Sequence, residues 1–93
     1  MHERAAWQRF PSDKHGARLR EERERLGMTQ PQMAQAAGVS LRGYCYYEQG
    51  ERQMKACFLS SLAYMGVDVI YVLTGMRNRA RQTGNHQRNQ RRL

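Results

Sequence analysis

The sequence lacks the features that mark membrane-spanning or disulfide-stabilised proteins. No run of about eighteen apolar residues occurs, so we expect no segment to cross a membrane. The N-terminus has no apolar core of a secretory signal. The two cysteines, Cys45 and Cys57, can form only one bridge, and nothing else indicates a disulfide scaffold. These absences favour a reduced, cytoplasmic location.

Long alternations of apolar and polar residues are also missing, and so are internal repeats. Without alternation no convincing strand is predicted, and helix-forming residues dominate the sequence. Ninety-three residues suit one small domain, which buries little surface and would be stabilised by dimerisation. We therefore predict an all-α fold.

Catalytic and metal-binding patterns are absent as well. The sequence has no nucleophile with a matching base and no glycine-rich phosphate loop. Its three histidines, His2, His15 and His86, are far apart and lack ligand spacing. We expect no enzyme activity, no cofactor and no metal. We interpret Cys57 as core filling and Cys45 as incidental, with a redox switch at Cys45 as the alternative.

Positive charge is plentiful but unevenly distributed. The net charge is +8, of which residues 1–75 carry +2 and residues 76–93 carry +6, with six arginines and no acid. We predict an N-terminal arm (1–12), a folded domain (13–75) and a basic tail (76–93) that is disordered in isolation. The tail could lie along DNA phosphates, bind an acidic protein partner or RNA, or only maintain solubility.

The most informative segment runs from Gly27 to Gly50 and predicts two short helices. Thr29 and Gln32 have the spacing of a reciprocal capping box at the start of a helix over 30–37. After a turn at Gly38, Ser40 can cap a second helix over 41–49. Two helices joined by a short glycine turn on a basic chain indicate a helix-turn-helix, whose second helix enters the DNA major groove.

Three further helices are predicted around this pair. The first runs from about residue 12 or 13 to 26. Its charge run REERER is interpreted as a solvated face, whereas Arg23 lies on the apolar side between Leu19 and Leu26. The fourth covers about 55–65, with Phe58, Leu59, Leu62 and Ala63 inward.

The fifth predicted helix covers 69–74 after an Asp68 cap and is almost wholly apolar. We favour a dimer surface at Val69, Ile70, Val72 and Leu73, the alternative being burial in the domain's own core.

The third helix divides into two faces. Tyr44 and Tyr47 share one face at i, i+3 spacing and are predicted to enter the core. Leu41, Arg42, Cys45 and Tyr46 point elsewhere. A helix that binds in a DNA groove needs one face packed on the core and one face free, and the third helix has this division.

Several short motifs follow one another in a specific order and spacing across residues 16–75. They are Leu19-Arg20-x-x-Arg23-x-x-x-Gly27-Met28-Thr29-Gln30, Met33-Ala34-x-x-Ala37-Gly38-Val39-Ser40, Tyr47-Glu48-x-Gly50, Leu62-Ala63 and Gly66-Val67-Asp68-Val69-x-Tyr71-Val72-Leu73-Thr74-Gly75. In this pattern the chain resembles the Cro/cI-type phage-repressor helix-turn-helix family, also called the xenobiotic-response-element family. The resemblance implies a five-helix, lambda-repressor-like domain that binds inverted-repeat operators as a homodimer.

The resemblance also implies roles for individual residues. Base contacts fall on Leu41, Arg42, Tyr46 and Gln30, with phosphate as the alternative contact for Gln30. A structural ion pair joins Arg23 to Glu48. Phosphate contacts fall on Thr29 and on the loop after the third helix, at Arg52, Gln53 and Lys55.

The third helix departs from the family pattern at two positions. Gly43 costs about 0.5–1 kcal/mol relative to alanine, and it either lets the DNA backbone approach closely or is merely tolerated. Leu41 can pack on a thymine methyl but cannot hydrogen-bond a base, so Arg42 is the strongest candidate for reading guanine. Tyr46 either contacts sugar and phosphate or shields the edge of the core.

These expectations combine into a function. We predict a sequence-specific, DNA-binding transcriptional repressor, homodimeric on a palindromic operator, of a phage or mobile element in a bacterial cytoplasm. Two alternatives remain: a protein-interaction module such as an antitoxin or anti-activator, and RNA binding through the basic tail.

Overall fold

A computed structural model describes residues 14–77 of the chain, and these residues form five α-helices and no strand. The helices are α1 (His15–Arg25), α2 (Gln30–Ala37), α3 (Leu41–Gln49), α4 (Ala56–Tyr64) and α5 (Val69–Thr74). The predicted all-α fold is thereby confirmed. None of these helices combines the length and apolar character that crossing a bilayer requires. The predicted arm (1–12) and tail residues 78–93 lie outside the described part.

Hydroxyl caps and glycines delimit the two central helices. The Thr29 hydroxyl accepts a hydrogen bond from the Gln32 amide (3.2 Å), and the Gln32 side chain accepts one from the Thr29 amide (2.8 Å). The Ser40 hydroxyl accepts from the Gly43 amide at 3.0 Å. Gly38, with φ of 74°, has the left-handed backbone that the turn between α2 and α3 needs. The predicted capping box is therefore present.

The core lies between α3 and its neighbours. Helix α3 packs on α1 and α2, α5 packs on α1 and α4, and α4 also packs on α2. Tyr47 stacks on Phe58 with ring centroids 4.1 Å apart, and Tyr44 meets Phe58 edge-on. The predicted core face of α3 is confirmed, since Tyr44 and Tyr47 are both buried.

Gly16 lets α1 approach the C-terminal end of α3. A Cβ atom at position 16 would lie 2.3 Å from the carbonyl oxygen of Glu48 and 2.7 Å from that of Tyr47. Both are backbone atoms, which cannot move aside as a flexible side chain can. Only glycine therefore permits this helix packing, and the sequence alone did not single it out.

Three sequence-based interpretations were wrong. Cys57 is exposed and does not fill the core. Val72 is completely buried within its own domain, so it cannot form part of a dimer surface. In the REERER run, Glu22 is completely buried, so the run is not simply a solvated face. Of the other three residues predicted for the dimer surface, Ile70 is exposed, whereas Val69 and Leu73 are half-buried.

Candidate nucleic-acid interface

A buried carboxylate on α3, that of Glu48, sets how the helix-turn-helix is held against α1. Glu48 Oε2 accepts hydrogen bonds from Arg23 Nε at 2.7 Å and from the Tyr44 hydroxyl at 2.5 Å. Its Oε1 accepts one from Gln30 Nε2 at 3.0 Å. The carboxylate thus joins α1, α2 and α3, which fixes the orientation of α3.

The electrostatics of this cluster keep Glu48 charged. Burial by itself raises the pKa of a carboxyl group, but the hydrogen bonds from Arg23, Tyr44 and Gln30 outweigh it and leave the pKa of Glu48 lowered. Burial and the hydrogen bond to Glu48 together raise the pKa of Tyr44. Arg23 and Glu48 therefore form an almost buried ion pair with exposed fractions of 13% and 5%.

Gln30 is directed into this cluster. Its amide nitrogen donates to Glu48, and its amide oxygen accepts a hydrogen bond from Cys45 Sγ at 3.6 Å. Both polar ends of the side chain are therefore engaged within the protein. Cys45, for which a redox role was the alternative, is half-buried beside it.

The opposite face of α3 is open. Leu41 is 46% exposed, Arg42 is exposed, and Tyr46 is half-buried one turn further on. Arg42 Nε donates a hydrogen bond to the Tyr46 hydroxyl at 3.1 Å. The structure thus places three of the four predicted base-contacting residues together on an uncovered surface.

Arg52, in the loop after α3, lies against the same surface. Its guanidinium carbon is 5.3 Å from the ring centroid of Tyr46 and 5.8 Å from that of Tyr47, both within cation–π range. Its Nη1 is also 3.3 Å from the point that a Cβ on Gly43 would occupy. Gly43 is buried, with the Ser40 hydroxyl also close to it, so its surroundings are protein atoms.

The arginines of this surface are not neutralised. Within the described residues neither Arg42 nor Arg52 forms an ion pair, although Glu51 adjoins Arg52. The ion pairs of that part of the chain instead involve Arg20, Arg23, Arg25 and Arg77. The surface formed by Leu41, Arg42, Tyr46 and Arg52, hereafter the α3 surface, therefore carries free positive charge.

The remaining predicted phosphate contacts are exposed. Thr29, Gln53 and Lys55 all present side chains to solvent, and the Thr29 hydroxyl already accepts the capping hydrogen bond. Lys55 is the N-cap residue of α4, without a side-chain cap bond. The spare lone pair on Thr29 and the free Lys55 ammonium are both suited to anionic groups.

A second buried carboxylate, Glu22, was missed by sequence reasoning. It accepts hydrogen bonds from Arg25 (2.7 and 3.0 Å), the Asp68 amide (2.8 Å) and Arg77 (2.8 Å). Burial alone would raise its pKa, but these hydrogen bonds lower it to about 2. Arg77 also lies over the Tyr71 ring, 3.8 Å from its centroid. This cluster ties α1 to the start of α5 and to Arg77.

One other kind of site, a metal-binding cluster, is not found in the described residues. No group of three or more His, Cys, Asp or Glu side chains in residues 14–77 could hold a metal ion. The α3 surface is therefore the strongest candidate site in this part of the chain.

Comparison with protein families gives a match that covers four of the five helices. The family model of a helix-turn-helix domain matches residues 16–64, more than half of the chain, and the match extends from α1 to the end of α4. Searches of curated proteins and of solved structures gave no significant match.

Proposed function

This chain belongs to the helix-turn-helix domain family, and from that premise we propose that it is a sequence-specific, DNA-binding transcriptional repressor. The observation that supports it most strongly is the open α3 surface, where Arg42 stands in the first turn of α3 without an acidic partner. The first residues of such a helix are those that reach base edges when it lies in the major groove.

In this proposal, base contacts and phosphate contacts fall on different residues. Arg42 hydrogen-bonds guanine O6 and N7, and Leu41 packs against a thymine methyl group. Arg52, Gln53 and Lys55, together with Thr29, contact phosphate oxygens and hold the register on the duplex. Gln30 supports the site from inside by its hydrogen bond to Glu48.

We further propose that two copies act together on a palindrome. Ile70 and Met76 are large apolar residues exposed beside the half-buried Val69 and Leu73, and a dimer would cover them. Two-fold symmetry then places one α3 in each of two successive major grooves, about 34 Å apart. Occupation of an operator that overlaps a promoter represses transcription. The proposed setting is a phage or mobile element in the bacterial cytoplasm.

Selection of bound sequences from a random duplex pool, using the full chain, tests these proposals together. We expect an inverted repeat that contains guanine in each half-site, with half-site centres about one helical turn apart. Selection of single half-sites would overturn the proposed homodimer but not the proposed DNA binding. If no sequence were selected, the proposal of a sequence-specific regulator would be overturned.

A competition experiment addresses the two alternatives. Structured hairpin RNA that displaces the selected duplex at matched salt would favour RNA binding through the basic tail. A chain that binds neither nucleic acid but retains its fold would favour the protein-interaction module. For the proposed repressor we expect the selected duplex to remain bound.

A further inference from the structure

We propose that Tyr46 is a positioning residue that determines the specificity of Arg42, and so does not itself contact a base. The inference rests on the proposed function and refines the α3 surface. In this arrangement the Tyr46 hydroxyl holds the Arg42 guanidinium so that its two terminal amino groups face a single guanine.

The hydrogen bond between them decides which atoms of Arg42 remain available. Arginine has five N–H donors, one on Nε and two on each terminal nitrogen. The Nε donor of Arg42 is used by the Tyr46 hydroxyl at 3.1 Å. The Nη1 and Nη2 groups, at the far end, remain free for guanine O6 and N7, the acceptor pair that arginine binds bidentately.

The acceptor is neutral, and that is important for binding DNA. An acidic residue four positions after Arg42 would also hold the guanidinium, but it would cancel the charge and repel phosphate. The Tyr46 hydroxyl orients Arg42 and leaves its positive charge intact. Tethering also reduces the side-chain entropy that an exposed arginine loses when it binds a base.

Tyr46 is itself held in place by its neighbours. Arg52 lies within cation–π distance of both the half-buried Tyr46 and the buried Tyr47, so its guanidinium bridges the Tyr46 ring and the core. The absence of a side chain at Gly43 leaves room for Arg52, whose Nη1 lies 3.3 Å from the missing Cβ position. Gly43, Arg52 and Tyr46 thus form a connected support for Arg42.

The test removes only the hydroxyl group. The Tyr46→Phe variant keeps the ring and its contact with Arg52 but cannot accept the hydrogen bond from Arg42. Affinity is measured for the operator selected by the wild-type chain, for the same operator with each half-site guanine replaced in turn, and for unrelated duplex. The matched control is Tyr64→Phe, because Tyr64 is 95% exposed, at the end of α4. Circular dichroism verifies the fold of each variant.

We expect Tyr46→Phe to reduce the preference for one guanine about three- to tenfold, the value of one net hydrogen bond. Affinity for unrelated duplex and the behaviour of Tyr64→Phe should stay at wild-type values. In an Arg42→Ala background, Tyr46→Phe should have no further effect on the preference, because the two residues act through one contact.

The possible failures can be told apart. If the wild-type chain shows no preference for any guanine, the proposed function is overturned in its claim that Arg42 recognises a guanine. If it shows one and Tyr46→Phe retains it in full, only the positioning role is overturned. An equal loss on specific and unrelated duplex, or a loss that persists in the Arg42→Ala background, would show a merely structural role and would also overturn the inference.

Discussion

Arginines occupy two contrasting environments in the described part of the chain. On the side of α1, Arg23 meets the buried carboxylate of Glu48, and Arg25 and Arg77 meet that of Glu22. On the α3 surface, Arg42 and Arg52 meet the ring and hydroxyl of Tyr46. The first group is bound to negative charge within the protein, and the second keeps its charge for an external anion.

The comparison shows that the partner, not the residue type, determines what an arginine does here. A buried carboxylate needs a permanent cation, and the pair then fixes how helices meet. An aromatic side chain orients a guanidinium without neutralising it. Net charge alone would not distinguish the two environments, whereas substitutions that remove one partner at a time do.

The largest effect is expected at Glu48. Glu48→Ala leaves Arg23 and the Tyr44 hydroxyl without their buried partner, which should cost about 3–5 kcal/mol of unfolding free energy. Urea denaturation at neutral pH measures it. Glu24→Ala is the matched control, because Glu24 pairs with Arg20 on the exposed side of α1 and should cost less than about 1 kcal/mol. Equal losses would remove the distinction between buried and exposed pairs.

Acid should weaken the fold through Glu22. Its pKa of about 2 in the folded protein is below the ordinary value of 4.5, so its contribution to the free energy of unfolding is fully present above pH 4.5. As the pH falls from 4.5 towards 2, about 2–3 kcal/mol should be lost. Urea denaturation at several pH values measures the profile, and Glu22→Gln should make it less steep, with Glu48, whose pKa is also lowered, providing the remaining slope. If the stability of Glu22→Gln fell with acid as steeply as that of the wild type, Glu22 would not be a source of the acid sensitivity.

A pair of glycine substitutions tests the packing on either side of α3. Gly16→Ala introduces a Cβ against the backbone of Glu48 and should cost at least about 1–3 kcal/mol. Gly43→Ala meets only the ends of two side chains, Ser40 and Arg52, and recovers about 0.5–1 kcal/mol of helix propensity, so its net effect should be within about 1 kcal/mol of zero. Thermal unfolding of the two variants provides the measurement. A smaller loss for Gly16→Ala than for Gly43→Ala would refute the close approach of α1.

The smallest effect is expected for Arg52. Arg52→Ala should weaken binding to all duplexes and reduce the slope of log affinity against log salt by about 0.9 for each phosphate contact removed. The loss should be larger on the selected operator, because Arg52 also supports Tyr46. Arg20→Ala, which removes an arginine paired with Glu24, is the matched control and should change the slope little. Identical slopes for both variants would mean that free and paired arginines contribute equally to phosphate binding.

Local patterns were sufficient to predict most of the fold. The bounds of α2, α3 and α5 were predicted correctly, because hydroxyl or acidic caps mark their starts and glycines mark their ends. Helix α4 is one residue shorter at each end than predicted. Lys55 makes no side-chain cap bond, and Met65, just before Gly66, is the C-cap residue.

The parts that escaped prediction depend on distant contacts. Glu22 shares the i, i+3, i+4, i+7 stripe with Leu19, Arg23 and Leu26, so its burial left a signal in the sequence. Its partners left no such signal, because the Asp68 amide and Arg77 are 46 and 55 residues away in the sequence. The approach of Gly16 to Glu48 is equally non-local. On the α3 surface, the contact between Arg42 and Tyr46 is local, whereas that of Arg52 depends on the path of the loop.

Parallel measurement of DNA affinity and unfolding free energy for Arg42→Ala and Arg23→Ala tests the contrast between the two environments most directly. We expect Arg42→Ala to lose about 1–3 kcal/mol of affinity for the selected operator while its stability changes by no more than about 0.5 kcal/mol. Arg23→Ala should instead lose about 3–5 kcal/mol of stability. Unchanged operator affinity of a folded Arg42→Ala variant would contradict the account.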